Sequence, residues 1–170
     1  KYSFHSFQLW NKGRQLIAAD KLDQAIKLLE QSIQESPNFP EAYNTLAWIY
    51  ADKLSRNLDE AEKLARKAAL IKPEAAFICD TLSWVLYKQE RYVEAAETAE
   101  KAIELDPNQA EHFYHASLAY LKNRQKEEAL DNLKKAVTLE NRFGQIAQQE
   151  VAFANLHATP EFQQILKNRK

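Results

Sequence analysis

Two of the four histidines, His112 and His115, stand three residues apart, the one spacing in the chain that suggests metal chemistry. On a helix both imidazoles would share a face, but a zinc site needs a third and a fourth ligand. The lone Cys79 falls in a different column of the pattern, and the glutamate that follows the first histidine of zinc-protease helices is absent. The carboxylates Glu94, Glu97, Glu100 and Glu104, interleaved with Lys101, follow the spacing of a solvated helix face with local ion pairs. No serine sits in a nucleophile elbow, and nothing pairs Cys79 with a histidine. Gly13 and Gly144 are the only glycines and stand far apart, which excludes the loops that cradle phosphates and dinucleotides. The expectation is a chain without catalytic machinery, metal or cofactor.

The aromatic residues carry more information. "NTLAWIYADK" (44–53) and "DTLSWVLYKQ" (80–89) share a Thr-Leu-x-Trp core displaced by 36 residues, so two of the three tryptophans, Trp48 and Trp84, hold equivalent positions. Charge points to no nucleic-acid partner: 23 basic residues balance 24 acidic ones, and the only basic cluster is the tail Lys167, Arg169, Lys170, read as a solvated end. No apolar run reaches the length of a membrane span, and "KYSFHSFQLW" lacks the apolar stretch of a signal peptide. The absence of methionine, an initiator included, suggests a trimmed or mature chain whose targeting segment is missing from view. A cytoplasmic or a bacterial periplasmic, envelope-associated location both stay open.

The elements that must position these residues emerge from an internal repeat. Pro37, Pro73 and Pro107 are spaced by 36 and 34 residues, with Asn141 in the next slot. Counted from these anchors, small residues recur at Gly13, Ala47, Ser83 and Ser117, and large ones at Leu16, Tyr50, Leu86 and Tyr120. Two further columns read Ala25, Ala61, Ala95, Ala129 and Ser32, Ala68, Ala102, Ala136. Apolar residues at helical spacing, such as Tyr43, Leu46, Ala47 and Tyr50, give two helices per repeat. Small residues in fixed columns let paired helices approach closely, and proline ends the second helix because it cannot continue one.

On these columns the chain resembles the tetratricopeptide repeat (TPR), a 34-residue helix-turn-helix unit, about four copies of which cover roughly residues 6–141. The third copy is the densest match, with Leu82, Ser83, Leu86, Tyr92, Ala95, Ala99, Ala102 and Pro107 in the family's slots. The second carries two extra residues in its turn, within "ADKLSRNLDEA", and Asp20, Glu90 and Arg124 stand where the family often has glycine. The resemblance implies an all-α, right-handed superhelical solenoid forming a single domain over 1–170. Its repeats are expected at about 6–39, 40–75, 76–109 and 110–143. Capping helices are expected at about 143–156 and 160–168, because a solenoid exposes the face of its last repeat. In the first of these, Phe143, Ile146, Ala147, Ala154 and Leu156 are the candidate apolar contacts; in the second, Thr159 is the N-cap and Pro160 lies in the first turn.

In such a solenoid the first helices line a concave groove. Carried over slot by slot, the groove residues are Trp10 and Arg14 in the first copy, Asn44 and Trp48 in the second, Asp80, Trp84, Tyr87 and Lys88 in the third, and Tyr114, Leu118 and Lys122 in the fourth. Phe7, Ile17, Glu41, Ala51, Asp52, Phe77, Glu111 and Leu121 share the stripe. The competing reading is that the tryptophans only fill space between neighbouring first helices. A subgroup of the family clamps acidic chaperone tails with lysine, asparagine and arginine. Here the corresponding slots hold Trp10, Arg14, Asn44, Thr45, Phe77 and Thr81, and Asp80 and Glu111 would repel a carboxylate, so that role is disfavoured. The expected function is an adaptor holding a peptide or helix of another protein, with apolar anchors. The alternatives are a self-assembling homo-oligomer docked through Tyr2, Phe4, Phe7 and Trp10, or the interaction part of a larger envelope, export or enzyme assembly.

Overall fold

A computed structural model describes residues 2–167. Four helical hairpins follow one another: α1 (Phe4–Ala18) with α2 (Leu22–Glu35), α3 (Pro40–Trp48) with α4 (Leu58–Ile71), α5 (Ala76–Lys88) with α6 (Tyr92–Leu105), and α7 (Ala110–Lys122) with α8 (Lys126–Leu139). They stack into a right-handed superhelical solenoid, and the described residues hold no strand.

The small-residue columns are the hinge of this packing. Ala25, Ala61, Ala95 and Ala129, and Ser32, Ala68, Ala102 and Ala136, are all fully buried, as are Gly13, Ala47, Ser83 and Ser117. At Gly13 an added Cβ would lie 3.3 Å from Leu29 Cγ, so α1 and α2 meet there with no room to spare. Around these contacts Leu29, Ile49, Ile78, Leu86 and Leu133 supply the bulk of four core clusters, joined through half-buried residues such as Tyr50, Leu64 and Trp84.

Each regular hairpin turns through a left-handed residue, Asp20 (φ 58°), Glu90 (φ 63°) or Arg124 (φ 64°). Lys21, Arg91 and Gln125 then donate their backbone N–H groups to the carbonyls of Leu16, Leu86 and Tyr120 at 2.8–3.0 Å, closing the helix end in a Schellman arrangement. The family's usual glycine would adopt that φ without strain; here side chains do so at a cost. In the second repeat the two inserted residues widen the end of the first helix into a π-helical turn, Ile49–Lys53, followed by Ser55 and Asn57 at positive φ.

Beyond α8 lie α9 (Arg142–Gln149), a 3-10 segment (Val151–Leu156) and α10 (Pro160–Lys167). The apolar pattern over 143–156 suggests one helix, but the chain breaks at Glu150, where ψ is 119° and the side chain accepts a hydrogen bond from Ala152 N–H at 3.1 Å. The break resets the helical phase. Phe153 becomes fully buried, while Ala154 and Ile146, expected as contacts, face solvent. Thr159 caps α10, its hydroxyl 3.4 Å from Phe162 N–H, with Pro160 at the first position. Of the expected second capping helix, residue 168 lies outside the described residues, as do Arg169 and Lys170 of the basic tail.

Candidate functional site

The first helices leave a cleft of about 720 Å³ running from α1 to α7, opened further by the loops before α5 and α7. Of the residues expected in the groove, Arg14, Asn44, Trp48, Asp80 and Trp84 line it, and Phe77 joins them from the same stripe with 42% of its surface exposed.

The tryptophans hold these positions because they follow the small packing residues Ala47 and Ser83. Each therefore leaves the helix about 100° from the buried stripe. Trp48 is half-buried beside Leu46 and Ile49, with Lys53 Nζ 4.8 Å over its ring. Trp84 is more tightly held. Its ring lies between Tyr87 (5.1 Å, 8°) and His115 (4.7 Å, 19°), and its Nε1 donates to Asp52 Oδ1 at 3.2 Å. The π-helical turn carries Asp52. Trp84 therefore does both jobs weighed for it, packing neighbouring first helices while presenting an edge to the cleft.

Asp80 sits at the centre, 8% exposed, and is the deepest charge in the groove. His115 Nδ1 approaches its Oδ1 at 2.9 Å and His112 Nδ1 at 3.3 Å. Burial alone would raise the carboxyl. The charge of His115 and hydrogen bonds from both imidazoles outweigh it and hold Asp80 well below the usual carboxylate range. The same pairing acts in reverse on His115: burial lowers its pKa, but Asp80, with Glu111 and Asp52 further off, raises it on balance. The histidine pair thus serves a buried carboxylate, and among the described residues no group of three or more His, Cys, Asp or Glu side chains is arranged to hold a metal.

Ile17 and Glu111 of the same stripe also line the cleft, and the other expected groove residues are elsewhere. Trp10 is wedged between α1 and α3, its Nε1 donating to Thr45 Oγ1 at 2.9 Å and its ring edge-on to Phe39. Tyr87 backs Trp84, away from the cleft, and burial, the largest cause, pushes its hydroxyl up to about 12. Lys88 lies over Trp84, and Lys122 is exposed beyond the lining. Two expectations are corrected outright. Leu118 is 1% exposed and Tyr114 is 6% exposed, because the segment after α8 folds back onto α7. Phe143 and Phe153 pack tilted against Tyr114, with ring centroids 5.0 and 6.3 Å away, where the fourth repeat's Tyr114 was expected to face the groove.

Sequence reasoning missed Glu74, Asp106 and Gln109, which reach the cleft from the inter-repeat loops, and the partnership of Asp80 with the two histidines. The latter had a signal. His115 lies one repeat plus one residue beyond Asp80, so stacking the repeats brings α7's face onto α5's.

Family models for the tetratricopeptide repeat match residues 16–77, 76–109 and 98–131. The chain belongs to the tetratricopeptide repeat family. Its fold is that of interaction scaffolds, typically non-catalytic. Among solved structures the TPR solenoid is similar to TTC0263, a thermophilic TPR protein of Thermus thermophilus, with a TM-score of 0.80 at 21% identity over 94% of this chain and 87% of that one. It is also similar to PilF of Pseudomonas aeruginosa, with 0.78 at 18% over 98% and 77%. A MamA structure gives 0.64 at 26% over 82% and 79%. Human protein O-mannosyl-transferase TMTC3 is 28% identical over 125 residues, 73% of this TPR chain but 14% of that protein's length.

Proposed function

We propose that this TPR domain is an adaptor that holds an extended or helical segment of a partner protein in its concave groove. The observation that carries the reading is the cleft itself. It is walled by Trp48, Phe77 and Trp84, which offer apolar contact area at small entropic cost, beside polar groups that can fix a backbone or a side chain. Phe77 is the sharpest indicator, since an aromatic ring left 42% exposed at the mouth of a concave surface stabilises the free domain little. A photo-crosslinking phenylalanine analogue at position 77 tests this in cells, with the same residue at exposed Val93, on a second helix, as control. Adducts mapping to one partner segment are expected from position 77 and not from 93; equal yields from both positions would reject the groove.

Self-assembly has one supporting observation. Phe4 is 75% exposed and Phe7 is 36% exposed on the first turns of α1. Tyr2 and Trp10, which were to share that role, are instead engaged within the chain with Phe39 and Thr45. Sedimentation at high concentration, comparing wild type with Phe4→Ser, tests this second reading, and a monomer in both excludes it.

A further inference from the structure

The two tryptophans that wall the cleft stand one repeat apart, yet two consecutive residues of one turn tie them together. Asp52 Oδ1 accepts the Nε1–H of Trp84 at 3.2 Å, and its Oδ2 lies 3.4 Å from Lys53 Nζ. Lys53 Nζ in turn sits 4.8 Å over the ring of Trp48. A second tie runs beside the first: Lys88 Nζ lies 5.0 Å over the Trp84 ring and donates to Ser55 Oγ at 3.4 Å. Asp52 and Lys53 close the π-helical turn, and Ser55 follows it.

These contacts depend on the inserted turn. The slot of Asp52 holds Ala18, Lys88 and Lys122 in the other copies, so the carboxylate stands only where the turn is widened. A π-turn takes more residues per revolution than an α-helix, which changes where the side chains after Ile49 point, and such turns gather at functional sites. Neither Asp52 nor Lys53 lines the cleft; both reach side chains that do. Lys53 and Lys88 already cover ring surface of the two indoles, so an occupant meets only what remains, and the position of each ring decides whether contact is made. Holding both rings in place before binding removes the cost of ordering them during it.

We infer that Asp52 and Lys53 are positioning residues of the groove: the widened turn of the second repeat sets the spacing of Trp48 and Trp84, and thereby the affinity for a bound segment. This rests on the peptide-groove reading above. The carboxylate is the common member, holding the Trp84 indole with one oxygen and the Lys53 ammonium with the other. Asp52 and Lys53 are 29% and 42% exposed, so their pair contributes little to stability and its loss acts on position.

The three tryptophans give three indole N–H signals, which nitrogen-15 NMR of the whole domain separates. Asp52→Ala should shift the Trp84 signal and speed its hydrogen exchange. Asp52→Asn keeps an acceptor for that indole but drops the charge that holds Lys53, so it should spare Trp84 and move the Trp48 signal. For affinity, the probes are twelve-residue peptides selected by display on the whole domain and weakened at least fivefold by Phe77→Ala in fluorescence polarisation. Asp52→Ala should weaken them about fivefold and Lys53→Met about twofold, and the double variant should lose no more than Asp52→Ala alone, because both act through one link. Glu60→Gln, which removes the exposed Glu60–Lys63 pair of the same repeat, should change nothing, and urea midpoints should stay close to wild type throughout. An unchanged affinity in Asp52→Ala, losses that add in the double variant, or a midpoint that falls in step with affinity overturns the inference and leaves the groove reading standing. If no selected peptide responds to Phe77→Ala, both fall.

Discussion

One slot, read through four repeats, separates the two ends of the solenoid. Arg14, Trp48, Trp84 and Leu118 occupy equivalent positions on α1, α3, α5 and α7, yet they pass from exposed, through half-buried, to 1% exposed. Nothing in the residues' own helices accounts for the trend. At the N-terminal end the slot faces an open cleft; at the C-terminal end the cap fills the same space with Phe143 and Phe153. Equivalent position in a repeat array therefore fixes the direction of a side chain and leaves its burial to whatever else the chain lays over it.

The largest effect is expected where the closed end is held. Phe153 is fully buried between Tyr114 and Phe162, so Phe153→Ala should cost about 3–5 kcal/mol in urea unfolding. Hydrogen exchange should quicken in α9 and α10 well before it does in α5. Uniform loosening of the whole solenoid would erase the distinction between the ends.

The two tryptophans come next. Trp84 stacks with Tyr87 and His115 and is hydrogen-bonded to Asp52, whereas Trp48 packs beside Leu46 and Ile49 with only the Lys53 side chain over its ring. Trp84→Ala should cost about 2–3 kcal/mol and Trp48→Ala about 1–2 kcal/mol. The reverse order in denaturant midpoints would break the graded picture.

Between them lies the charge cluster, whose stability contribution depends on pH with a definite sign. The depressed Asp80 stabilises the fold above the carboxylate's ordinary value of ~3.9 and loses that contribution as pH falls. The raised His115 contributes fully below ~6.5 and loses its share as pH climbs through its folded value. The urea midpoint of the wild type, relative to the double variant Asp80→Asn, His115→Gln, should therefore be most favourable between about pH 4 and 6.5 and shrink on either side. A difference that grows toward pH 9 would refute the pairing.

The smallest effect supplies a control indifferent to position. Asp20 turns at the open end and Arg124 at the closed end, with nearly the same φ. Glycine at either should stabilise by about 0.5–1 kcal/mol, and by the same amount at both, because the strain is local. Thermal unfolding of the two single variants checks this, and unequal gains would mean the ends differ in more than their cover.

What the sequence made legible follows the repeat. The alanine columns, the turn slots of Asp20, Glu90 and Arg124, and the direction of Trp48 and Trp84 all come from translation by one unit, which the chain spells out several times over. Tyr114 and Leu118 were misplaced because their surroundings come from a segment that occurs once. Phe153 was overlooked when 143–156 was read as one helix, and the break at Glu150 carries no proline or glycine to announce it. The Asp80 cluster needed two repeats superimposed rather than one read along its helix.

The cap also gives the groove a polarity. A perfectly periodic channel would let a bound strand slip by one repeat at little cost, since each step restores equivalent contacts. On the proposed peptide-groove reading, the aromatic plug beside Tyr114 would be a dead end, against which a strand pushed toward the cap would stop. Positions along that strand can then be counted from the stop, as along a ruler with its zero fixed at one end.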